Sequence, residues 1–587
     1  MLRAFLQEKL ERGREANERM IDQNPLRASF KMTTGKGKYW FLIIILLITA
    51  LLATYKIKDQ GTYDEDALEY YTAARTDIAV AKWIIHGKDY SLHDYLEEKR
   101  IYPRANIYGK PLYHLLSIMS LLIMGDHDYS LQIMNALFGV MTILMLFKIG
   151  ERLYGTNAGL YAAVFCMLSP LFLWLSRTNM AHMPQLFFFF TGMYFYLKSF
   201  GEETANIKLV TAGIFMALSM LTHPSANTFI GLFFVFDFYV FVFLRKKYLL
   251  SVKRALLFAL PMIVLVVATN SALNMFKASM GLEGLKEYIS GIYMNYFEQF
   301  KFNSDASVGY TDVGGIPMGH FTTLGTSALK TKLLDTVKSY FYDPWIYEGT
   351  LRIVIMLSAL VYLIKDFRTK SSLFLLILIA VPYLLFVIPI SNPSIRTILT
   401  IFPLLAIASG QLIDRVVSAS SNRAVTACLL VLFLIYSAFN ITPIYSAYTG
   451  FRNVADWLKA QGVRSILTPA IHMQVDPYMD IYGVRTVVLT DPEKIREHRD
   501  IKYTVIAMRN SFFDPLKDDE HLKFARNVVE NRKPLIKESH IPSLTAMDMY
   551  RREHSFAVNM IIKYLLGKDF RRSPIDIYVY RTEDLIN

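Results

Sequence analysis

The chain has 587 residues, of which 53% are hydrophobic and 14% aromatic, and its mean hydropathy is +0.29. This composition excludes an ordinary soluble protein and predicts a polytopic membrane protein that also has a soluble part. The net charge of +13 could suit nucleic acid, but much of it lies in short segments between apolar runs, which is a membrane-topology pattern. The sequence therefore predicts a membrane, and no nucleic acid, as partner.

The N-terminal part predicts a cytoplasmic lead, an anchor and a large outer loop. Residues 1–38 are basic and end in an uncleaved apolar anchor, Phe41–Ala53. A first outer loop follows at about 56–130, too polar for a bilayer and too long for a connector. Within it, Ala67–His86 has the spacing of a helix lying along the interface, and Pro111–Met124 fits a second interfacial or re-entrant helix.

The membrane domain is predicted to extend over residues 39–446 with about eleven spans. Each predicted cytoplasmic loop carries Lys or Arg, so the charges favour an N-in/C-out orientation with a second large outer loop at about 270–349. The further spans are predicted at about Leu131–Ile149, Ala158–Leu175, Met183–Leu197, Leu209–Leu221, Phe229–Leu244, Ala255–Thr269, Leu351–Ile364, Leu373–Ile390, Thr397–Leu412 and Ala424–Asn440.

Residues 447–587 have the composition of a soluble domain, predicted to be extracytoplasmic. Short apolar strands alternate with helical stretches, which favours a small α/β fold. No glycine-rich phosphate fingerprint is present in this part, so no nucleotide is assigned to it. The predicted elements are a helix at Asn453–Gln461 and strands at Ser465–Leu467, Thr486–Leu489, Tyr503–Ala507 and Ile575–Tyr580.

Charged residues predicted at the outer side offer one kind of chemistry. Asp64 and Glu65 follow the first span, while Lys110, Arg177 and Arg396 lie at predicted helix ends. A carboxylate can accept a hydroxyl proton while Lys and Arg hold a departing phosphate. The alternatives stay open here, since the acids also suit a solvated helix cap and the cations suit anchors at the membrane interface.

The histidines give no metal signature. His114, His182, His223 and His320 all fall at predicted outer span ends or in outer loops. They show no HxxxH spacing, so isolated hydrogen-bonding roles are favoured and no metal site is predicted.

The order of the features carries more information than any one of them. An acidic pair after the first span precedes GKPLYHLL, then SLQIMNALFGVMTILMLFKIGERLYG, then SPLFLWLSRTNMAHMPQLFFFFTGMYFYL. This order resembles the C-type integral-membrane glycosyltransferases, and more closely the branch of protein O-mannosyltransferases and lipid A aminoarabinose transferases. The resemblance covers roughly the first 440 residues and is clearest from Asp64 to Leu197.

The resemblance implies a sugar transferase of the cell envelope. It would take its donor from a polyprenyl-phosphate-linked sugar on the outer face and transfer it, with inversion, to a protein, lipid or glycan acceptor. Asp64 and Glu65 match the family's catalytic acids, and Lys110 matches the Lys of its Lys-Pro-Pro-Leu motif. No further cofactor is implied, and a divalent cation on the phosphate stays open because it would do the work of the cations.

The resemblance implies substrate-binding roles for a wider set of residues. The sequence also departs from the family pattern at several positions. His182 stands where many relatives carry an acid, and His223 stands where Arg-Pro is common. Only one proline follows Lys110. The residues expected to bind substrate are Lys110, Tyr113, His114, Arg177, His182, His320 and Arg396.

Two other classes of function compete with an enzyme. A transporter or lipid flippase predicts broken spans related by an internal repeat, with acids at mid-membrane, and no such repeat is visible. A non-catalytic subunit of an envelope assembly complex predicts that the acidic pair is dispensable.

Overall fold

The structure, a computed structural model, describes most of the membrane region and most of the C-terminal part. The predicted basic lead up to residue 36 and residues 280–347 of the second outer loop lie outside the described residues. The described residues are 37–61, 65–85, 91–101, 110–200, 205–223, 226–279, 348–387, 399–446, 448–469, 475–489, 491–509, 520–540 and 575–586.

The first sixteen helices in the described part belong to the membrane region. They are α1 (Gly37–Thr54), α2 (Ile57–Gln60), α3 (Glu65–Ile85), α4 (Leu92–Glu98), α5 (Pro111–Met124), α6 (Ser130–Tyr154), α7 (Thr156–Met167), α8 (Pro170–Ser176), α9 (His182–Lys198), α10 (Ala205–Thr222), α11 (Asn227–Phe238), α12 (Tyr248–Ser279), α13 (Thr350–Lys365), α14 (Lys370–Val387), α15 (Ile401–Ala419) and α16 (Arg423–Ile441). A π-helix, Tyr239–Leu244, continues α11, and a 3₁₀ turn, Thr442–Ser446, follows α16.

The helix bundle has an apolar exterior as well as an apolar core. Trp174, Phe189 and Tyr196 are fully buried at its centre. On α16, by contrast, Leu429 and Phe439 are 60% and 73% exposed. A soluble monomer rarely leaves such a face open, whereas a lipid bilayer covers it. The chain is therefore a multi-pass membrane protein, as the composition predicts.

Six helices in the described part are long and apolar enough to cross a membrane, and a bent pair makes up to seven. The six are found at Tyr39–Gln60, Ser130–Tyr154, Ala205–Thr222, Tyr248–Thr269, Ile401–Ala419 and Ala424–Ile441. Three further apolar helices are shorter, at Pro111–Met124, Phe229–Leu244 and Lys370–Tyr383. The count of eleven spans and the N-in/C-out orientation remain predictions.

Glycines allow the centre of the bundle to pack closely. A Cβ atom on Gly410 of α15 would lie 2.5 Å from the carbonyl oxygen of Ala158, and one on Gly150 of α6 would lie 2.8 Å from the Cα of Gly159. Because both contacts involve the backbone of α7, no rotamer change could relieve them. Small residues thus let α7 lie between α6 and α15, as is common between membrane helices.

The predicted span Ala158–Leu175 is not one continuous helix. It consists of α7 and α8, which are bent by 70° with respect to each other. The sequence SPLF explains the break, because Pro170 has no N–H to continue α7 and suits the first turn of a new helix. The Ser169 side chain caps α8 by accepting a bond of 3.1 Å from the Phe172 N–H.

A buried ion pair satisfies the backbone groups that this break exposes. Glu348 and Arg352 are both 0% exposed and are joined at 2.7 Å. The carboxylate accepts a bond of 2.5 Å from the Ser169 hydroxyl at the start of α8. The Arg352 guanidinium donates to the Phe165 carbonyl at the end of α7, at 2.8 Å. Each charge therefore faces the helix end whose dipole it complements.

We expect Arg352→Met to destabilise the protein strongly, because it leaves the Glu348 carboxylate buried without its partner. Breaking one side of a buried ion pair typically costs about 3–5 kcal/mol. Thermal unfolding in detergent should show a large fall in Tm. The double variant Glu348→Gln, Arg352→Met removes both charges and should recover part of the loss. An unchanged Tm in the single variant would contradict this account of the pair.

The C-terminal α/β unit, residues 450–586, contains a five-stranded sheet in the order β2-β1-β3-β5-β4. Strands β1, β2 and β3 are parallel, and β5 pairs antiparallel with both β3 and β4. The four predicted strands are found, and β4 is an addition. The elements are α17 (Gly450–Ala460), β1 (Ser465–Pro469), α18 (Val475–Ile481), β2 (Arg485–Leu489), a 3₁₀ turn (Pro492–His498), β3 (Tyr503–Arg509), α19 (Glu520–Asn531), β4 (Ile536–His540), β5 (Ile575–Arg581) and α20 (Thr582–Ile586).

Candidate active site

Helices α3 and α5 of the first loop pack against each other through aromatic side chains. Tyr113 of α5 is fully buried, and its ring meets that of Tyr70 edge-on, with 4.8 Å between the centroids. The Tyr113 hydroxyl accepts a bond of 3.5 Å from the Asn135 amide of α6. The Tyr70–Tyr113–Asn135 contacts fix α3 against the bundle. Helix α3 begins within the sequence Asp64-Glu65-Asp66, which we call the acidic cluster.

The Lys110 side chain contacts α3, although Lys110 immediately precedes α5 in the chain. Its ammonium group donates a hydrogen bond to the Tyr70 hydroxyl and lies 4.9 Å from the centroid of the same ring. Pro111 begins α5 and suits a first helical position. The Lys-Pro turn therefore directs the Lys110 side chain toward the neighbouring helix.

The catalytic acids predicted from the sequence lie, along the chain, at and just before the first residue of α3, the helix that Lys110 contacts. Glu65 is the first residue of α3, and its side chain is not described. Asp64 directly precedes it and lies outside the described residues. With a rise of about 1.5 Å per residue, the backbone of Glu65 is roughly 7.5 Å along the helix axis from that of Tyr70. Lys110 thus contacts α3 at Tyr70, a residue less than two helical turns from Glu65.

His114 forms a second polar contact between the same two helices. Its Nε2 atom is paired with the Asp77 carboxylate, which is 31% exposed, whereas the His114 side chain is 7% exposed. Asp77 lies two turns beyond Tyr70 on α3, so Lys110 and His114 follow one edge of the α3–α5 pair. The carboxylate selects the imidazole tautomer that carries the proton on Nε2.

Arg177 occupies a different place from the one expected of a substrate ligand. It is fully buried. Its Nη1 atom donates to the carbonyls of Leu52 and Ala53 at 2.9 and 3.0 Å, and Nη2 donates to the Tyr55 carbonyl at 2.7 Å. The Gln60 side-chain oxygen accepts a further bond from Nη2. The guanidinium therefore stabilises the end of α1, where the helix leaves its last carbonyls without helical partners.

His182, a predicted substrate ligand, lies beside His223, the other histidine that departs from the family pattern. His182 begins α9, and its ring centroid is 4.2 Å from that of His223, which follows α10. The remaining predicted ligands, His320 and Arg396, lie outside the described residues. Among the residues that the structure describes, no group of three or more His, Cys, Asp or Glu is placed to hold a metal ion.

Asp126, which follows α5, makes contacts that the sequence did not reveal. Asp126 accepts bonds from the Tyr71 hydroxyl at 2.7 Å and from Arg75 Nε at 3.0 Å. Burial raises the pKa of Tyr71, and the carboxylate adds to that effect, so the phenol remains a donor. Arg75 also donates to the Ile481 carbonyl at 2.9 Å. Helix α3 therefore contacts both Asp126 of the membrane region and Ile481 of the α/β unit.

Residues 110–271 match the family model for the dolichyl-phosphate-mannose-protein mannosyltransferase. The chain is 30% identical over 140 residues to YycA of Bacillus subtilis (strain 168), which carries the provisional name of mannosyltransferase. That match covers 24% of this chain and 18% of the relative.

The fold is similar to that of ArnT from Cupriavidus metallidurans. In the apo state the TM-score is 0.50 at 11% identity, and the match covers 93% of this chain and 98% of ArnT. With undecaprenyl phosphate bound to ArnT, the TM-score is 0.51 at 12% identity, covering 91% of this chain and 97% of ArnT. The chain thus resembles the C-type membrane glycosyltransferases in fold and, over residues 110–271, in family pattern.

The predicted superfamily resemblance is thus confirmed by the family match over residues 110–271 and by the similarity of fold. The matched segment contains Lys110, Tyr113, His114, Arg177 and His182. Since the chain spans only 18% of the length of its curated relative, the reaction and substrates of the whole protein are proposals.

Proposed function

We propose that the protein transfers one sugar from a polyprenyl-phosphate-linked donor to an acceptor hydroxyl or amine. Asp64 or Glu65 is the general base, and Lys110 binds the donor phosphate. The observation that carries the proposal is the position of Lys110 against Tyr70, within two helical turns of Glu65. A cation held against α3, the helix that Glu65 begins, supports the proposal.

The reaction is a single displacement at the anomeric carbon. The carboxylate accepts the proton of the acceptor while the acceptor atom forms the new bond to the sugar. The bond between the anomeric carbon and the phosphate oxygen breaks, and the electron pair leaves with the lipid phosphate. Lys110 stabilises the negative charge that develops there. Attack opposite to the leaving group inverts the anomeric configuration.

The surroundings of Lys110 suit a phosphate ligand. The Tyr70 hydroxyl accepts a bond from the ammonium group, which also lies over the Tyr70 ring, so the positive charge is held in place before a phosphate binds. The position of the site beside an apolar helix bundle also suits a donor with a long lipid chain.

The fold likeness supports this donor class. ArnT, whose fold is similar over 91% of this chain, has been solved with undecaprenyl phosphate bound. A lipid-phosphate leaving group also accounts for a sequence without a nucleotide-binding fingerprint. Further substrate contacts are proposed for Tyr113, His114, His182, His320 and Arg396.

The proposal predicts which lipid accumulates without the protein. A deletion strain should accumulate a polyprenyl-phosphate sugar on the outer leaflet, because the consuming step is lost. Extraction and mass spectrometry would identify the lipid, and the wild-type gene should remove it. Restoration by the double variant Asp64→Asn, Glu65→Gln would contradict the proposal. A flippase would instead leave the lipid on the inner leaflet.

The proposed orientation places the site on the extracytoplasmic face. We expect single cysteines at Asp64 and Lys502 to react with a membrane-impermeant maleimide in intact cells, and a cysteine at Lys246 to be protected. Permeabilised cells provide the control, since all three positions should then react. Labelling of Lys246→Cys in intact cells would contradict the proposed topology and with it the face of the site.

A further inference from the structure

Asp128 connects the membrane region to the C-terminal α/β unit. Its carboxylate accepts two bonds from Arg452 of α17, through Nη2 and, at 3.1 Å, through Nε. It also accepts a bond of 2.8 Å from the Tyr482 hydroxyl, directly after α18. The side chain of Asp128 is 10% exposed and that of Arg452 is 25% exposed. We refer to Asp128, Arg452 and Tyr482 as the Asp128 junction.

The junction encloses the chain that leads into the acidic cluster. Arg452 Nη1 donates to the Lys58 carbonyl at 2.7 Å. Gly61 lies against the junction with φ of +65°, and a Cβ atom there would be 2.6 Å from Arg452 Nη2 and 2.9 Å from the Asp128 carboxylate. Only glycine adopts this conformation readily and leaves this space.

Further hydrogen bonds hold Gln60 and Gly61. The Thr449 N–H donates to the Gln60 carbonyl at 3.1 Å, and the Gln60 amide donates to the Ile444 carbonyl at 2.9 Å. The Gln132 amide of α6 donates to the Gly61 carbonyl at 2.6 Å. Residues 60 and 61 are therefore fixed from both sides, three residues before Asp64.

We propose that Arg452 is a positioning residue and that the α/β unit orients the acidic cluster through the Asp128 junction. The inference rests on the proposed function, which makes Asp64 or Glu65 the base. A general base acts only within hydrogen-bond distance of the proton it removes. Three residues separate Gly61 from Glu65, the first residue of α3, so a change in the position of Gly61 is expected to move the start of α3. The α/β unit is thereby part of the catalytic apparatus without touching the reacting atoms.

The burial of the junction distinguishes it from ordinary surface ion pairs. Burial raises the pKa of Tyr482, and the neighbouring Asp128 carboxylate adds to the effect, so the phenol stays protonated as a donor. Arg485 and Glu97, at 2.8 Å, also connect the α/β unit to the first loop. Their side chains are 57% and 45% exposed, and such pairs contribute little. This pair is the matched control.

The test is Arg452→Gln in the full-length protein, measured by transfer kinetics and by hydrogen exchange. The donor is the lipid-linked sugar fraction from the deletion strain. We expect kcat to fall roughly a hundredfold, as for a displaced catalytic group, while KM for the donor changes less than about twofold, as expected when only transition-state contacts are lost. Amides of α3 should exchange about tenfold faster, the factor expected for a lost hydrogen bond to a charged group.

Arg485→Ala should leave kcat and the exchange of α3 unchanged. Asp128→Asn, which keeps the volume of the side chain, repeats the test if Arg452→Gln does not fold. Unchanged kcat in both junction variants would overturn the inference. The inference would also be overturned if kcat fell only in proportion to the loss of folded protein, while the amides of α3 in the folded fraction exchanged at the wild-type rate.

The exchange measurement separates this inference from the proposed function. If the wild-type protein transfers no sugar, the proposed function fails. Faster exchange of α3 in Arg452→Gln but not in Arg485→Ala would still support the positioning contact. Equal exchange in all three proteins would overturn that contact whatever the activity.

Discussion

Replacing the two acids at the start of α3 is expected to abolish sugar transfer. Asp64→Asn and Glu65→Gln keep the size and most hydrogen bonds of each side chain and remove the proton acceptor. A positioned base contributes about a hundred- to ten-thousand-fold to rate, so at least one variant should lose that much in kcat. We expect the larger loss for Asp64→Asn. The measurement is transfer of labelled sugar by purified protein.

Asp66→Asn is the matched control for this pair. It changes an acid in the same cluster to which the family pattern gives no role, and it should therefore retain activity. Thermal unfolding should be unchanged in all three variants, which separates catalysis from folding. Full turnover in both Asp64→Asn and Glu65→Gln would refute the carboxylate mechanism and favour a non-catalytic role for the protein.

Removing the cation at Lys110 is expected to have the second largest effect. Lys110→Ala should lower kcat/KM for the donor roughly tenfold to hundredfold, since a hydrogen bond to a charged group contributes about 1.5–3 kcal/mol. KM for the acceptor should change little. Lys110→Arg should recover activity only in part, because a planar guanidinium does not reproduce a compact ammonium charge. Steady-state kinetics with each substrate varied in turn would measure both effects.

Lys99→Ala provides a matched control for Lys110. Lys99 also belongs to the first loop and lies over a tyrosine ring, 5.6 Å from the centroid of Tyr95, but its side chain is 48% exposed. Its replacement should leave donor kinetics unchanged. Wild-type donor kinetics in Lys110→Ala would instead make Lys110 an interface anchor that only packs on Tyr70.

Local sequence pattern predicted much of the helix and strand content. The predicted helix Ala67–His86 corresponds to α3, Glu65–Ile85, because its apolar and polar residues follow a helical period. The four apolar strands of the α/β unit were also found. Strand β4, Ile536–His540, was missed because its sequence IKESH has a single apolar residue. The pairing with β5 defines it, and no local pattern reveals such a partner.

The candidate site was only partly predictable, since its contacts join distant parts of the chain. Lys110 could be identified as a candidate, yet its contact with Tyr70 depends on how two helices of the first loop pack. Arg177 has the same sequence features as a phosphate ligand, whereas its contacts are the last carbonyls of α1. The bond between Asp128 and Arg452 spans 324 residues, and one sequence alone gives no evidence of it.

The most direct test of the account is the stoichiometry of transfer by purified protein. The lipid-linked sugar fraction of the deletion strain serves as donor, and an envelope fraction of the same strain serves as acceptor, without added nucleotide sugar. The account predicts one free polyprenyl phosphate for each sugar transferred, with an inverted anomeric configuration. It also predicts no release by the Asp64→Asn, Glu65→Gln double variant. Equal release by that double variant, or no transfer by the wild-type protein, would contradict the account.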